Sequence, residues 1–339
     1  MKIGITFDLR GAEPIPAGVP DDLFEEFDDP GVVASIAQVL RGLGHTPIEL
    51  GNGRPMLEKL LADPPDFVFN FAEGRGISRS REARVPAILE TLGIPYTGSD
   101  PATLGLCLDK DWTRRMVQSV GVTVPNGITV SFENDAIADP SLLAGVLDDS
   151  DLELPLIAKP TFEGSSKGIR NRCVIEKPAD FGPVVVELWN AYRQPVLIEE
   201  FIVGDELTVG IVGNHPPQVL GTMRMLPRVP SDRFIYGLEV KRDYKNTVDY
   251  ECPARISEAD AAAVEEAALQ AFDALGCRDL ARIDFRLRDG VPYFLEANPL
   301  PGLNPLSGDI VYIANFMGVS HAQLIERILD AAIARTRTK

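Results

Sequence analysis

A chain of 339 residues, 45% hydrophobic and 24% charged, has the composition of a folded protein large enough for two or three domains. Its formal net charge of −17 argues against a nucleic-acid partner, which needs a basic face, but leaves room for a small phosphate ligand in a locally basic cleft. Four cysteines at 107, 173, 252 and 277 lack C-x-x-C spacing, which suits reduced thiols and neither disulfides nor zinc. No apolar run reaches the length of a membrane span, so the expected location is the cytoplasm.

In chain order, I-G-I-T-F (3–7) reads as a buried strand, since the apolar opening is too short for a secretory leader. Asp29-Pro30 supplies an N-cap and first-turn proline for a helix through V-V-A-S-I-A-Q-V-L-R, closed by Gly42 and Gly44. D-F-V-F-N-F (66–71) is another strand, and R-V-P-A-I-L-E-T-L a helix running to Gly93. This alternation implies a mostly parallel open sheet of α/β class, so residues 1–105 read as a Rossmann-like domain. G-L-G-H-T-P is no dinucleotide fingerprint, because its glycines end a helix where that motif begins one. I-P-Y-T-G-S-D-P (94–101) marks the boundary. A helix from Asp109 to Ser119 opens a strand-rich unit, 106–202, in which D-D-S-D-L-E (148–153) reads as a solvated loop. The last unit, 203–339, carries strands, an alanine-rich helix (257–275), a hairpin (281–297) and two closing helices.

The hairpin carries the first candidate chemistry. Arg282 and Asp284 are two apart and share a strand face, as do Glu296 and Asn298. A three-residue loop at 289–291 sets Asp284 opposite Glu296, whereas a two-residue Asp-Gly turn sets it one position off. Either register crowds two carboxylates and an amide, which suits Mg²⁺ or, alternatively, an exposed polar face neutralised by Arg282. In K-P-T-F-E-G-S-S-K-G (159–168) a strand runs into a flexible, donor-rich loop of the kind that approaches phosphate. V-L-I-E-E-F-I (196–202) offers backbone groups to an adenine edge, and Glu206 a carboxylate to a ribose. Lys110 lies in L-D-K and Lys241 in Y-G-L-E-V-K-R-D-Y. Each feature alone has a bland counterpart: a surface lysine, a sheet-edge acid, a core phenylalanine.

Together, I-P-Y-T-G-S, L-D-K, K-P-x-x-E-G-S-S-x-G, V-L-I-E-E-F with Glu206, C-P-A (252–254), A-R-I-D-F and L-E-A-N-P-x-P-G resemble the ATP-grasp superfamily and, within it, the D-alanine–D-alanine ligases. The segments run in family order over roughly residues 66–330. The resemblance implies an α+β ATP-grasp fold in two subdomains behind the Rossmann-like domain. It implies ATP bound by Lys110, Lys159, Glu163, Ser165 and Ser166, with Glu199, Glu200, Phe201, Ile202 and Leu295 around the adenine and Glu206 on the ribose. Lys241 would hold the γ-phosphate, and Asp284, Glu296 and Asn298 two Mg²⁺ ions, with Mn²⁺ as a substitute. Arg282 and the backbone at Gly302 would stabilise a tetrahedral intermediate, Ser165 would join the catalytic residues, and Ser307 with the Gly308 N–H would receive the second substrate's carboxylate. The implied reaction joins a carboxylate to an amine through an acyl phosphate, releasing ADP and phosphate. A homodimer and small amino-acid substrates are implied with it.

The first-substrate region departs from the family pattern. F-D-L-R-G-A-E-P-I-P and an acidic insertion replace its glycine-rich loop, Glu25 being the nearest counterpart of the amine-binding glutamate. Glu73 stands where the family has a histidine, and Arg242 where it often has a tyrosine; that arginine either pairs with an extra carboxylate or points to solvent. The expectation is an active ligase, either a D-alanyl-D-alanine enzyme or a dipeptide or natural-product ligase with other substrates. A non-catalytic nucleotide-binding module is the alternative, disfavoured because it has no reason to keep Arg282 together with the three metal-holding residues.

Overall fold

The computed structural model describes residues 1–11, 15–132 and 140–337, so residues 12–14 of F-D-L-R-G-A-E-P-I-P lie outside the described residues. The first elements are β1 (Lys2–Thr6), α1 (Pro30–Gly42), β2 (Thr46–Gly51), α2 (Gly53–Ala62), β3 (Phe67–Asn70) and α3 (Arg84–Thr91). Their strands form a parallel sheet in the order β2-β1-β3, as the alternation implies. Asp29 caps α1 by accepting from the Gly31 N–H at 2.7 Å, and Val32, Val33, Ile36, Ala37 and Leu40 form its buried stripe.

Next come α4 (Pro101–Leu108), α5 (Lys110–Ser119), β4 (Gly127–Val130), α6 (Ala144–Asp148), β5 (Leu156–Pro160), β6 (Val174–Ile175), α7 (Pro178–Tyr192) and β7 (Val196–Glu200). The four strands make an antiparallel sheet, β4-β7-β5-β6. The strand-rich reading of this region needs correcting at α7, whose V-V-V run and internal Pro183 look unlike a helix. Packing of Phe181, Val185, Leu188, Trp189 and Tyr192 into the core over β5 outweighs those local preferences. α4, also unforeseen, starts where Asp100 accepts from the Thr103 N–H inside the turn-rich I-P-Y-T-G-S-D-P passage.

The remaining elements are β8 (Asp205–Val212), β9 (Gln218–Pro227), α8 (Leu238–Arg242), α9 (Tyr244–Thr247), β10 (Val248–Glu251), α10 (Glu258–Ala274), β11 (Leu280–Arg288), β12 (Val291–Asn298), α11 (Asp309–Phe316) and α12 (His321–Arg337). The strands form an antiparallel sheet ordered β10-β9-β8-β11-β12. Leu207, Val209, Ile283, Phe285 and Phe294 face α10 in one core. Ile310 and Ile313 of α11 and Leu324 and Ile328 of α12 share a second core with Ile3, Ile5, Ile36 and Leu40, which fixes the parallel sheet against the C-terminal helices. Each such side chain contributes about 1.5–3 kcal/mol by leaving water.

The hairpin register combines both sequence alternatives. Arg288 pairs with Val291 around a two-residue Asp289-Gly290 turn, with φ of 52° and 79° as that turn requires. Yet Asp284 pairs with Glu296, because a bulge at Leu295 inserts one residue into β12. Phe294 and Ala297 keep to the α10 core while Leu295 and Glu296 both line the cleft on the other side.

Candidate active site

The two antiparallel sheets face each other across a narrow cleft of about 70 Å³. From β5 and β7 come Ile157, Lys159, Glu199 and Glu200, followed by Phe201 and Ile202; from the other sheet come Glu206, Asp284, Leu295 and Glu296. Lys159 Nζ lies 2.7 Å from Glu199 Oε2. Glu206 accepts from Arg286 at 2.6 Å and from the Tyr236 N–H at 3.1 Å, both through Oε2, which leaves Oε1 without a partner among the described residues. Glu200 at the rim pairs with Arg288 at 2.7 Å.

A second, polar cavity of about 390 Å³ adjoins the cleft, and Tyr236 and Lys241 line both. On its floor Arg282 grips Asp284 with two bonds of 3.0 and 2.8 Å, reaches Glu296 at 3.4 Å and Asp309 at 2.9 Å. Asn298 pairs with Arg282 across the sheet, and Gly302, Ser307 and Gly308 line the same cavity. The Gly308 N–H already donates to the Asn304 carbonyl at 2.9 Å. Lys110 reaches Glu296 at 3.2 Å from behind the loop after β5 and also donates to the Glu163 carbonyl.

That loop is held in an uncommon shape. Ser165 and Ser166 adopt φ of 48° and 58°, left-handed values that cost about 1–3 kcal/mol each and persist only where the surroundings enforce them. Gly168, at φ 74°, has no room for a Cβ, which would come within 2.3 Å of Pro160 Cγ. Ser166 Oγ donates to the Tyr236 carbonyl at 3.0 Å, and the Leu238 N–H to the Ile169 carbonyl at 3.0 Å, so the loop and the segment leading to Lys241 clasp each other.

The N-terminal insertion clamps the same loop. Glu26 accepts from the Gly164 N–H at 2.7 Å and pairs with Arg81 at 2.6 Å and Lys167 at 3.1 Å; Lys167 also pairs with Glu163. Asp22 accepts from the Gly168 N–H at 3.0 Å and from Tyr192 at 2.6 Å. Arg242 does not point to solvent alone: it binds Asp21 at 2.6 Å and Glu25 at 2.7 Å, and Arg10 also reaches Glu25 at 3.4 Å. Glu25 therefore stands on the cavity wall already neutralised.

Charge follows from these contacts. Burial opposes ionisation of Glu296, yet Lys110, Arg282, Lys241 and Lys159 together hold its carboxyl down at about 2. Burial, then the Arg282 guanidinium, pushes the Lys241 ammonium below the usual lysine range. Burial, then Glu26 despite Arg81, lifts Glu82 to about 7 from a usual 4.5. An acid raised on folding binds its proton more tightly in the folded state, so stability falls as pH rises from about 4.5 to about 7. Glu82→Gln is expected to raise Tm by about 5 °C at pH 8 and leave it nearly unchanged at pH 4.5, read by thermal denaturation at both values.

The structure thus brings Lys159, Ser166, Glu199, Glu200, Phe201, Ile202, Glu206 and Leu295 to the cleft and Glu25, Glu73, Arg242, Arg282, Asn298, Gly302, Ser307 and Gly308 to the cavity, with Lys241 between them. Ser165 lines the cavity, whereas Glu163 and Lys110 sit behind the loop. Sequence reasoning missed Tyr236, Asp309, Glu26 and Asp22. Asp309 orients Arg282 and is itself held by Tyr236 at 3.2 Å, and both are found only by proximity to recognised motifs, while Glu26 and Asp22 act through partners far away in sequence.

A narrow cleft between two antiparallel sheets, opening beside a lysine into a polar cavity, is the arrangement of the ATP-grasp class of ATP-dependent ligases. The family model for the D-ala D-ala ligase C-terminus matches residues 116–330. Protein y4sG of Sinorhizobium fredii is 32% identical over 321 residues (90% of this chain, 88% of the relative), and the D-alanine--D-alanine ligase of Aquifex aeolicus is 32% identical over 279 (80% and 85%). The D-alanine--D-alanine ligase of Bacillus anthracis, solved in complex with ATP, shares the fold at a TM-score of 0.72 and 21% identity, covering 100% of this chain and 98% of that one. The chain belongs to the D-alanine–D-alanine ligase family, and its enzyme activity is ATP-dependent formation of an amide bond. Among the described residues no helix is long and apolar enough to cross a membrane.

Proposed function

We propose that the chain joins two amino acids, the carboxylate of the first to the amine of the second, with D-alanine or a close relative as the second. The observation that carries this reading is the position of Lys241 on the wall common to the nucleotide cleft and the polar cavity. A terminal phosphoryl placed there meets a carboxylate in the cavity. The first substrate's carboxylate oxygen attacks the γ-phosphorus and ADP leaves. The second substrate's amine then attacks the acyl carbon, and phosphate departs with that oxygen.

Lys159 and Lys110 act on the phosphates as point charges, and the loop bearing Ser165 and Ser166 covers them. Glu199 to Ile202 border the adenine, and Glu206 Oε1 is available to a ribose hydroxyl. Arg282, steadied by Asp309, faces the charge that develops on the acyl oxygen, together with the backbone at Gly302. Ser307 and Gly308 border the second carboxylate. The segment 227–250, clasped to the phosphate loop, keeps water from the acyl phosphate.

The residues fit Mg²⁺. Asp284 and Glu296 oppose each other across the sheet, a like-charge pairing that a divalent ion relieves, and Asn298 adds a third hard oxygen. Two carboxylates and an amide leave most coordination positions to phosphate and water oxygens, as magnesium requires; no group of three or more His, Cys, Asp or Glu among the described residues is arranged to hold an ion. Mg²⁺, or Mn²⁺ in its place, would neutralise charge on the transferred phosphoryl. We further propose boundaries near residues 105 and 202 between three units, a homodimeric assembly and a cytoplasmic location.

The test is phosphate release from ATP and Mg²⁺ with D- and L-amino acids, singly and in pairs. Release should depend on the amino acids, with mass spectrometry showing the condensed product. Absence of stimulation by every pair overturns the reading.

A further inference from the structure

The cavity wall can be sorted by which carboxylates already have a cation. Glu25 has Arg10 and Arg242, Glu26 has Arg81 and Lys167, and Asp309 has Arg282. Asp29 caps α1. Asp28 and Glu73 remain, and neither carboxylate makes a hydrogen bond or ion pair with any described residue, though both line the cavity. Glu82, 7% exposed and equally without such a partner, lines the adjoining hollow, which shares Glu73 with the main cavity. Asp28 and Glu73 are half-buried on the cavity wall, and carboxylates partly withdrawn from water with no bonded counter-charge gain from a cationic ligand.

We propose that the first substrate is a diamino acid whose second ammonium group is held between Asp28 and Glu73, with Glu82 behind them. This rests on the ligase reading above and names the substrate class for the same cavity. A neutral amino acid has one ammonium group and would leave at least one of these half-buried carboxylates without a bonded counter-charge. Every arginine on the wall is already committed to a carboxylate, Lys241 faces the nucleotide side as well, and Arg81, which acts on Glu73 and Glu82 through space, is itself bound to Glu26, so among the described residues no cation bonds Asp28 or Glu73. Burial, then neighbouring acids, raises both Asp28 and Glu73, consistent with carboxylates that await a positive partner. Charge-assisted hydrogen bonds from an ammonium are about twice as strong as neutral ones, which gives such a ligand its advantage over an isosteric apolar side chain.

The experiment compares charged and neutral side chains of equal length, using the full chain, ATP, Mg²⁺ and D-alanine as second substrate. Lysine is set against norleucine and ornithine against norvaline, in both enantiomers. At least one charged member should exceed its neutral match by about tenfold or more in kcat/KM, and Glu73→Gln or Asp28→Asn should bring that ratio toward one. Equal or better use of the neutral members, with phosphate still released, overturns the inference and leaves the ligase reading standing. Failure of every pair to release phosphate counts against the ligase reading instead. Calorimetry on the wild-type chain decides the point without turnover or folded variants: lysine or ornithine binding more tightly than its neutral match supports the proposal, and equal binding contradicts it.

Discussion

Replacing Lys241 by methionine is expected to lower kcat for amide formation by about 10²–10³-fold while the fold stays intact. Lys241 makes no ion pair among the described residues; its ammonium lies 5.3 Å from the Tyr236 ring centroid, and burial disfavours its charge. Methionine fills a similar volume, so the substitution orphans no carboxylate and removes a desolvated charge. The urea midpoint should be unchanged or higher. Phosphate-release kinetics and urea unfolding check both halves, and a lost activity that tracks a lost midpoint would assign the lysine a structural role only.

The second large effect is on stability. Arg81 is 1% exposed and joins α3's approach to the loop after β5 through Glu26 at 2.6 Å, Glu163 at 3.7 Å and the Phe162 carbonyl. Burial opposes its charge, but Glu26 and Glu82 outweigh that and hold it protonated. Arg81→Met leaves Glu26 and Glu163 to share Lys167, and breaking a buried pair on one side costs about 3–5 kcal/mol. The urea midpoint should fall accordingly. KM for ATP should rise as the Gly164 end of the loop loses its anchor, and a midpoint within experimental error of wild type would refute the clamp.

What the sequence made legible was local or periodic. Asp29-Pro30 announces α1, Asp109 announces α5, and the two-residue spacing in A-R-I-D-F and E-A-N places Arg282, Asp284, Glu296 and Asn298 on one sheet face, as found. The register was not legible, because a bulge at Leu295 depends on packing of Phe294 and Ala297 against α10 and leaves no mark in composition. The V-V-V run of α7 points toward a strand by propensity and is overruled by tertiary burial. The N-terminal insertion was opaque for a further reason: Asp22, Glu26 and Arg242 find partners 55 to 221 residues away, and no short motif encodes such pairings. Glu25 thus looked like an available carboxylate and is instead tied to Arg242.

The most direct measurement follows oxygen. The account holds that phosphoryl transfer past Lys241 activates the first carboxylate, so one of its oxygens must end in inorganic phosphate. With a first substrate labelled with ¹⁸O in both carboxylate positions, mass spectrometry should find one ¹⁸O in each phosphate released with product, and one retained in the new amide carbonyl. Unlabelled inorganic phosphate released alongside singly labelled product, with the second ¹⁸O leaving in water or another group, would contradict the account.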